Sequence, residues 1–225
     1  MEDKRVIRVT GKGAIKVKPD MTRITMTLEG LYEYYEETLR HSSEDTEILK
    51  DIMEKHGFDR SDVKTLSFNV DAKHESYQAK DKSWKQRFVG YEYSHLLKVE
   101  FESDNKRLGE ILYALANADE IHPVFRLSYT VKNKEASKNL LLGKAVEDAK
   151  AKAQVLSQAA GVSLESIQSI DYSWGEIEFE YSPMRGNMLM EKCCEAEDAY
   201  GAYDMDIEPD DIEVSDTVTV IWEIA

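Results

Sequence analysis

The sequence predicts an α+β fold in which helices pack on a mainly antiparallel sheet. Stretches of alternating apolar and polar residues predict the strands, and three longer segments with helical periodicity predict the helices. From Met21 to Val131 these segments follow one another as strand, helix, strand, strand, helix, strand, which is the βαββαβ order of ferredoxin-like folds. A strand near Val6–Thr10 precedes this stretch, and a third long helix and C-terminal strands follow it.

Five segments alternate between apolar and polar residues, which is typical of half-buried antiparallel strands with one face on a core. Their apolar positions are Ile24, Met26 and Leu28; Leu66, Phe68 and Val70; Tyr91, Tyr93, His95, Leu97, Val99 and Phe101; Phe125, Leu127, Tyr129 and Val131; and Ile212, Val214, Val218, Val220, Trp222 and Ile224. A further strand from Ile167 to Tyr181 changes its apolar parity at Gly175, so we expect a β-bulge there.

The first two helices are predicted from apolar stripes and from residues that begin or end helices. The first covers residues 32–56 and ends at Gly57. The second begins at Ser103 or Asp104, and either residue fits an N-cap.

The third helix is predicted from Asn133 to Ala160, with Gly161 as its end. Its Ala-rich face suits close packing on a sheet or on another helix. The residues of that face are Leu142, Ala145, Val146, Ala149, Leu156 and Ala160.

Composition indicates a globular protein with a strongly acidic surface. The chain has 225 residues, of which 42% are hydrophobic and 32% are charged. Asp and Glu number 44 against 29 Lys and Arg, which gives a net charge of -15 and opposes binding to nucleic-acid phosphates. Two cysteines exclude a disulfide-rich scaffold. No linker-like composition divides the chain, and we expect one domain over residues 1–225.

The sequence Gly11-Lys12-Gly13 invites comparison with phosphate-binding loops. It matches neither common pattern, because no Ser or Thr follows a Gly-Lys pair and Lys16 stands where a third glycine is needed. We therefore expect a tight turn or a bulge between two strands at these glycines.

An acidic segment from Cys193 to Asp216 contains ten carboxylates and no Lys or Arg. Within it, Asp204, Asp206 and Glu208 have the spacing of the start of a calcium-binding EF-hand loop. However, Pro209 and Ser215 stand where that loop requires Gly and Glu. We expect an acidic, mobile loop over residues 184–211. A metal- or ligand-binding function that uses residues 193–216 remains the alternative.

The neighbouring cysteines Cys193 and Cys194 lack the spacing of a zinc site, and an adjacent disulfide is strained. Unreactive thiols are therefore favoured over a redox switch. No metal or cofactor is predicted.

The stretch from Lys73 to Tyr93 alternates basic and aromatic residues. Such a stretch could stack on single-stranded nucleic acid, but the negative net charge opposes this. We expect an exposed hairpin that turns near residues 80–82 and packs against another subunit. The candidate interface residues are Tyr77, Trp84, Arg87 and Phe88.

No catalytic or targeting motif is recognised. The five His residues form no HxxxH or HExxH pair and no GxSxG is present, so we expect no enzyme. Residues 1–10 contain no apolar signal region, and no run approaches the ~18 apolar residues of a membrane span. We expect a cytoplasmic protein without membrane contact, or an envelope protein if a leader has been removed.

Several short segments, taken in order, resemble one family. They are Val9-Thr10-Gly11-Lys12-Gly13, Val17-Lys18-Pro19-Asp20, Gly90-Tyr91-Glu92-Tyr93, the Ala-rich run from Ala145 to Gly161, and Tyr172-Ser173-Trp174. In this order and spacing they resemble the SIMPL domain family over nearly the whole chain.

The resemblance implies an α+β domain that commonly self-assembles into rings or barrels and has no established enzymatic activity. Many bacterial relatives are exported envelope proteins, some of them linked to oxidative stress defence, and the namesake animal protein associates with a signalling kinase. The family offers no catalytic residues and does not explain the acidic segment. We expect a homo-oligomer that acts through protein surfaces, with the hairpin and the third helix as interface elements.

Overall fold

A computed structural model describes residues 5–80, 82–172, 177–182 and 207–225. Contacts group these residues into two compact units, which are described separately below. The prediction that residues 1–225 form one domain stays a prediction. In chain order the elements are β1 (Val6–Val17), β2 (Met21–Tyr32), α1 (Tyr35–Lys55), β3 (Lys64–Gln78), β4 (Trp84–Glu102), α2 (Asn105–Ala116), β5 (Val124–Thr130), α3 (Lys134–Ala160), β6 (Leu164–Tyr172), β7 (Glu180–Tyr181) and β8 (Ile212–Ile224).

One unit contains β2, α1, β3, β4, α2 and β5, which confirms the βαββαβ order. Its strands lie in the order β3-β4-β2-β5, with β2 and β3 both antiparallel to β4, as in ferredoxin-like folds. Asp104 caps α2 by accepting hydrogen bonds from the backbone N–H groups of Lys106 and Arg107. Of the two predicted N-cap candidates, Ser103 and Asp104, the structure therefore selects Asp104. The α+β prediction is confirmed.

The core of this unit lies between the sheet and the two helices. Alternate residues of β2 and β4 point into it, as their period-2 pattern predicts. The fully buried members include Ile24, Met26, Tyr93, Leu97, Val99, Leu49, Met53, Leu108 and Ile111.

Strand β3 differs from its prediction, because most of its side chains are exposed. Leu66 and Phe68 lie at the surface, and only Val70 packs against the core. The physical reason is position: β3 is the edge strand, and α1 packs on β2 and β4. The apolar alternation therefore predicts the strand correctly, but the prediction that its apolar face is buried is wrong for Leu66 and Phe68.

The other unit contains a three-stranded antiparallel sheet, in the order β1-β8-β6, and helix α3 packed on it. Asn133 caps α3 by accepting a hydrogen bond from the Ala136 N–H, and the helix ends before Gly161, as predicted. The buried residues of α3 are spaced four positions apart, and only Ala145 and Ala149 among them belong to the predicted face. The buried residues are Leu141, Ala145, Ala149, Ala153 and Ser157.

The prediction of a turn or bulge at Gly11 and Gly13 is wrong. Both glycines lie inside β1, which pairs with β8 without a register shift from Val6 to Val17. A Cβ atom at Gly11 would lie 2.7 Å from the Cβ of Ala149 and closer still to the backbone of α3. The glycines and alanines therefore allow the backbones of β1 and α3 to approach closely.

Polar side chains of α3 also bind the backbone of β1. The Asp148 carboxylate accepts hydrogen bonds from the Lys12 backbone N–H and from the Lys152 ammonium, each at 2.7 Å. Lys152 and that backbone N–H lower the pKa of Asp148. Helix α3 therefore supplies an acceptor for a backbone donor of β1.

The predicted continuous strand from Ile167 to Tyr181 is also wrong. Strand β6 ends at Tyr172, residues 177–179 are not in a strand, and β7 contains two residues. The bulge predicted at Gly175 lies outside the described residues.

We predict that Gly11→Ala destabilises the protein by about 3 kcal/mol, because the new methyl group must displace helix backbone. Gly143→Ala is the matched control within α3, where a Cβ meets nothing within 4 Å. There the gain in helix propensity predicts a stabilisation of roughly 0.5–1 kcal/mol. Urea unfolding of both variants measures these changes, and a Gly11→Ala variant as stable as the wild type would contradict the close-packing explanation.

Candidate functional site

The hairpin formed by β3 and β4 extends beyond the rest of its sheet. Strand β2 pairs with β4 only from Tyr91 to Glu102, whereas β3 continues to pair with it as far as Trp84. The turn is closed by a hydrogen bond from the Ala79 N–H to the Ser83 carbonyl at 2.8 Å. We call residues 74–88 the hairpin extension, because within the described chain β4 has one strand neighbour there.

The four predicted interface residues all lie in the hairpin extension, but on two faces. Trp84 and Phe88 share one face, because they pair with Gln78 and His74. Tyr77 and Arg87 lie on the other face, where Arg87 forms a 3.2 Å ion pair with Glu75. Trp84 is 72% exposed, and Tyr77 and Phe88 are also exposed.

A row of ring contacts leads from the hairpin extension to the start of α1. His74 contacts Phe88, Phe88 contacts Tyr91, and Tyr91 contacts Tyr35, with ring centroids 5.2 to 5.7 Å apart. We call these four residues the aromatic row. A bulge at Val89 aligns it, since this extra residue places Phe88 and Tyr91 on one face. Their edge-to-face geometry is favourable for aromatic pairs.

Gly90 follows that bulge with a φ of 146°, a conformation that side chains rarely adopt. A Cβ there would also lie 3.0 Å from the carbonyl carbon of Tyr32. Its backbone conformation and the close approach of Tyr32 therefore both explain why glycine stands at position 90, beside Tyr91.

The phenol of Tyr93 donates a hydrogen bond to the Asp45 carboxylate of α1. Burial, with a further contribution from Asp45, raises the pKa of Tyr93 well above its usual value. Tyr93 therefore stays a protonated donor and joins α1 to β4 across the edge of the core.

A cavity of about 370 Å³ lies beside α1, over β3 and β4. It is lined by Ser42, Ser43, Thr46, Glu47, Lys50, Thr65, Phe68 and His95. We call it the His95 cavity. The His95 ring is held at both nitrogens, with Nδ1 3.0 Å from Thr46 Oγ1 and Nε2 2.9 Å from Thr65 Oγ1. Burial, together with the charge of Lys50, lowers the pKa of His95.

The second bulge of the hairpin forms this cavity. Leu66 is the extra residue of β3, so that Thr65 and Phe68 both face His95 although they are three positions apart. The sequence predicted that His95 shares the core face of β4, but it missed Thr65 and the cavity. The only sequence signal was the presence of hydroxyl residues Ser42 and Thr46 on the apolar stripe of α1.

The acidic segment falls largely outside the described residues. Cys193 and Cys194 lie there, as does most of the predicted loop over residues 184–211. Elsewhere in the described ranges, no group of three His, Cys, Asp or Glu side chains is arranged to hold a metal ion. None of the described helices combines the length and apolar content that a membrane span requires.

Comparison with known families supports the resemblance drawn from the sequence motifs. A family model described as SIMPL, a protein of unknown function (DUF541), matches residues 7–222. The match covers nearly the whole chain and both compact units. A comparison with curated proteins finds no match.

We predict that Tyr93→Phe costs about 1.5 kcal/mol of stability, because the Asp45 carboxylate loses a partly buried donor. Tyr34→Phe removes a hydroxyl from a 63% exposed side chain and should change stability by less than about 0.5 kcal/mol. Chemical denaturation of the two variants measures the difference. Equal losses of stability in both variants would contradict a stabilising role for the hydrogen bond between Tyr93 and Asp45.

The lowered pKa of His95 predicts acid sensitivity. The unfolded chain binds a proton near pH ~6.5, whereas the folded chain binds it only at lower pH. The free energy of unfolding therefore falls as the pH decreases between those two values. His95→Gln should remove this part of the pH dependence, measured by urea unfolding across the range, and an unchanged slope would contradict it.

Proposed function

We propose that this chain, which belongs to the SIMPL family of proteins of unknown function (DUF541), is a non-enzymatic protein that self-assembles and acts through protein–protein surfaces. The hairpin extension is the proposed contact surface. Its partner is a second copy of the chain.

The observation that carries this proposal is the exposure of both faces of the hairpin extension. A two-stranded ribbon is at best marginally stable in water by itself. This one carries large apolar side chains on both faces, namely Trp84 and Phe88 on one and Tyr77 on the other. Aromatic residues and Arg are enriched in protein interfaces, and Arg87 lies beside them. Docking onto another chain would bury these side chains and stabilise the ribbon.

Charge favours a second copy as the partner. The hairpin extension, residues 74–88, contains four Lys or Arg and two Asp or Glu, which gives a net charge of +2. The total is -15, so the remaining residues carry -17. A basic hairpin of one copy therefore finds an acidic surface on the next, and charge complementarity accelerates and orients such contacts. Contact between unlike surfaces builds closed rings or open chains.

We predict that Trp84→Ser shifts the purified protein toward the monomer by at least about tenfold in dissociation constant, since Trp is among the residue types enriched at binding hot spots. Multi-angle light scattering and sedimentation measure the shift. Val124→Ser is the matched control, because Val124 is also exposed, at 62%, but lies on β5 away from the hairpin. Raising the salt concentration should weaken assembly of the wild type.

Two results would contradict the proposal. One is a wild-type protein that stays strictly monomeric at high micromolar concentration and low salt. The other is equal assembly of the wild type and the Trp84→Ser variant. Circular dichroism of each variant verifies that a loss of assembly does not reflect unfolding.

A further inference from the structure

The His95 cavity has no role in the proposed assembly, yet it collects polar groups that fit a small ligand. Its volume of about 370 Å³ lies within the usual range of small-molecule sites. An ammonium group, an imidazole and several hydroxyls line it, together with the ring of Phe68. Such a wall supplies hydrogen-bond donors and one apolar surface.

The directions of the hydrogen bonds fix the tautomer of His95. The Thr46 hydroxyl donates to the Ser42 carbonyl at 2.7 Å, so its oxygen can only accept from His95. Nδ1 of the neutral ring therefore carries the proton. Nε2 then has a lone pair, and it accepts from the Thr65 hydroxyl at 2.9 Å.

Protonation of His95 reverses the second of these hydrogen bonds. Nε2 gains a proton and donates to the oxygen of Thr65. The Thr65 hydroxyl hydrogen is thereby released and can turn toward the cavity. One proton thus adds a positive charge and frees one donor in the same place.

We propose that the His95 cavity binds a small oxyanion, a carboxylate or a phosphate, and that a proton binds His95 in the same step. The Lys50 ammonium and the Thr65 hydroxyl contact the anion. Thr46 keeps the ring in position and does not contact the anion.

The charges that face His95 are compatible with an anion. From α1 these are Lys50 and Glu47, which lie 3.1 Å apart. The Glu47 carboxylate is also bound by Arg60, so its charge is balanced twice. Lys50 gives one hydrogen bond to Glu47 and has further N–H groups for a ligand.

The described strand residues that share a face with His95 or pair with it place no negative charge beside the ring. Along β4, Tyr93 lies on the same face and directs its hydroxyl to Asp45 of α1. Phe68 of β3 and Leu28 of β2 stand opposite His95 and are apolar. Without an anion, burial and the charge of Lys50 disfavour the protonated ring, and an anion between Lys50 and His95 removes part of that cost.

Nuclear magnetic resonance titration of the full chain tests this proposal, with sodium acetate and inorganic phosphate as separate probes. The His95 ring resonance is identified by its loss in His95→Gln. We expect a saturating anion to raise the pH at which that resonance titrates. Affinity should fall by about tenfold per pH unit above the His95 pKa, and calorimetry in two buffers should record uptake of a proton.

Two variants locate the site. Thr65→Val removes the donor at constant shape and should weaken anion binding by about tenfold, whereas Thr65→Ser should retain it. Thr217→Val, an exposed threonine of β8 in the other unit, should bind like the wild type. Binding of only one probe assigns the site to that anion class and supports the proposal.

Three outcomes would overturn it. The first is a His95 resonance that neither probe shifts. The second is binding without proton uptake, and the third is a folded Thr65→Val variant with wild-type affinity.

Discussion

Strand β4 is longer than the stretch that pairs with β2, and the exposed hairpin extension depends on this difference in length. From Tyr91 to Lys98 the strand has a neighbour on each side, and from Tyr91 to Glu102 it buries alternate residues under the helices. Before Tyr91, its strand neighbour among the described residues is β3. The same strand is therefore a core strand at one end and an exposed ribbon at the other.

Two bulges convert this arrangement into specific surfaces. The one at Val89 places Phe88 and Tyr91 on one face and forms the aromatic row. The one at Leu66 turns Thr65 toward His95 and forms the cavity. Helix α1 covers β2 and β4 and leaves much of β3 open, so both surfaces face solvent. A bulge commonly redirects side chains in this way at functional positions.

Sequence reasoning succeeded where the signal is local. The caps at Asp104 and Asn133, the helix end at Gly161 and the alternation along β4 depend on residues close in the chain. It failed at Gly11, because the reason for that glycine is the backbone of Ala145, more than a hundred positions later. A turn and a close approach both select glycine, and only the tertiary structure separates them.

The candidate interface and the His95 cavity differ in the same way, because local patterns predict the first and only tertiary contacts form the second. Tyr77, Trp84, Arg87 and Phe88 were placed correctly in a hairpin, since its turn and flanking strands are local features. Their division between two faces depends on pairing across the strands. The partnership of His95 with Thr46 and Thr65 joins three separate elements, and no spacing in the sequence encodes it.

If the hairpin extension is a contact surface between copies of the chain, its backbone is shielded from water in the assembled protein. Amide hydrogen exchange of the full protein, compared at low and high protein concentration, detects this shielding. We expect amides of residues 74–78 and 84–88 to become more protected as concentration rises, while those of α2 exchange at one rate throughout. Exchange in the hairpin that is independent of concentration, in a sample that does assemble, would contradict it.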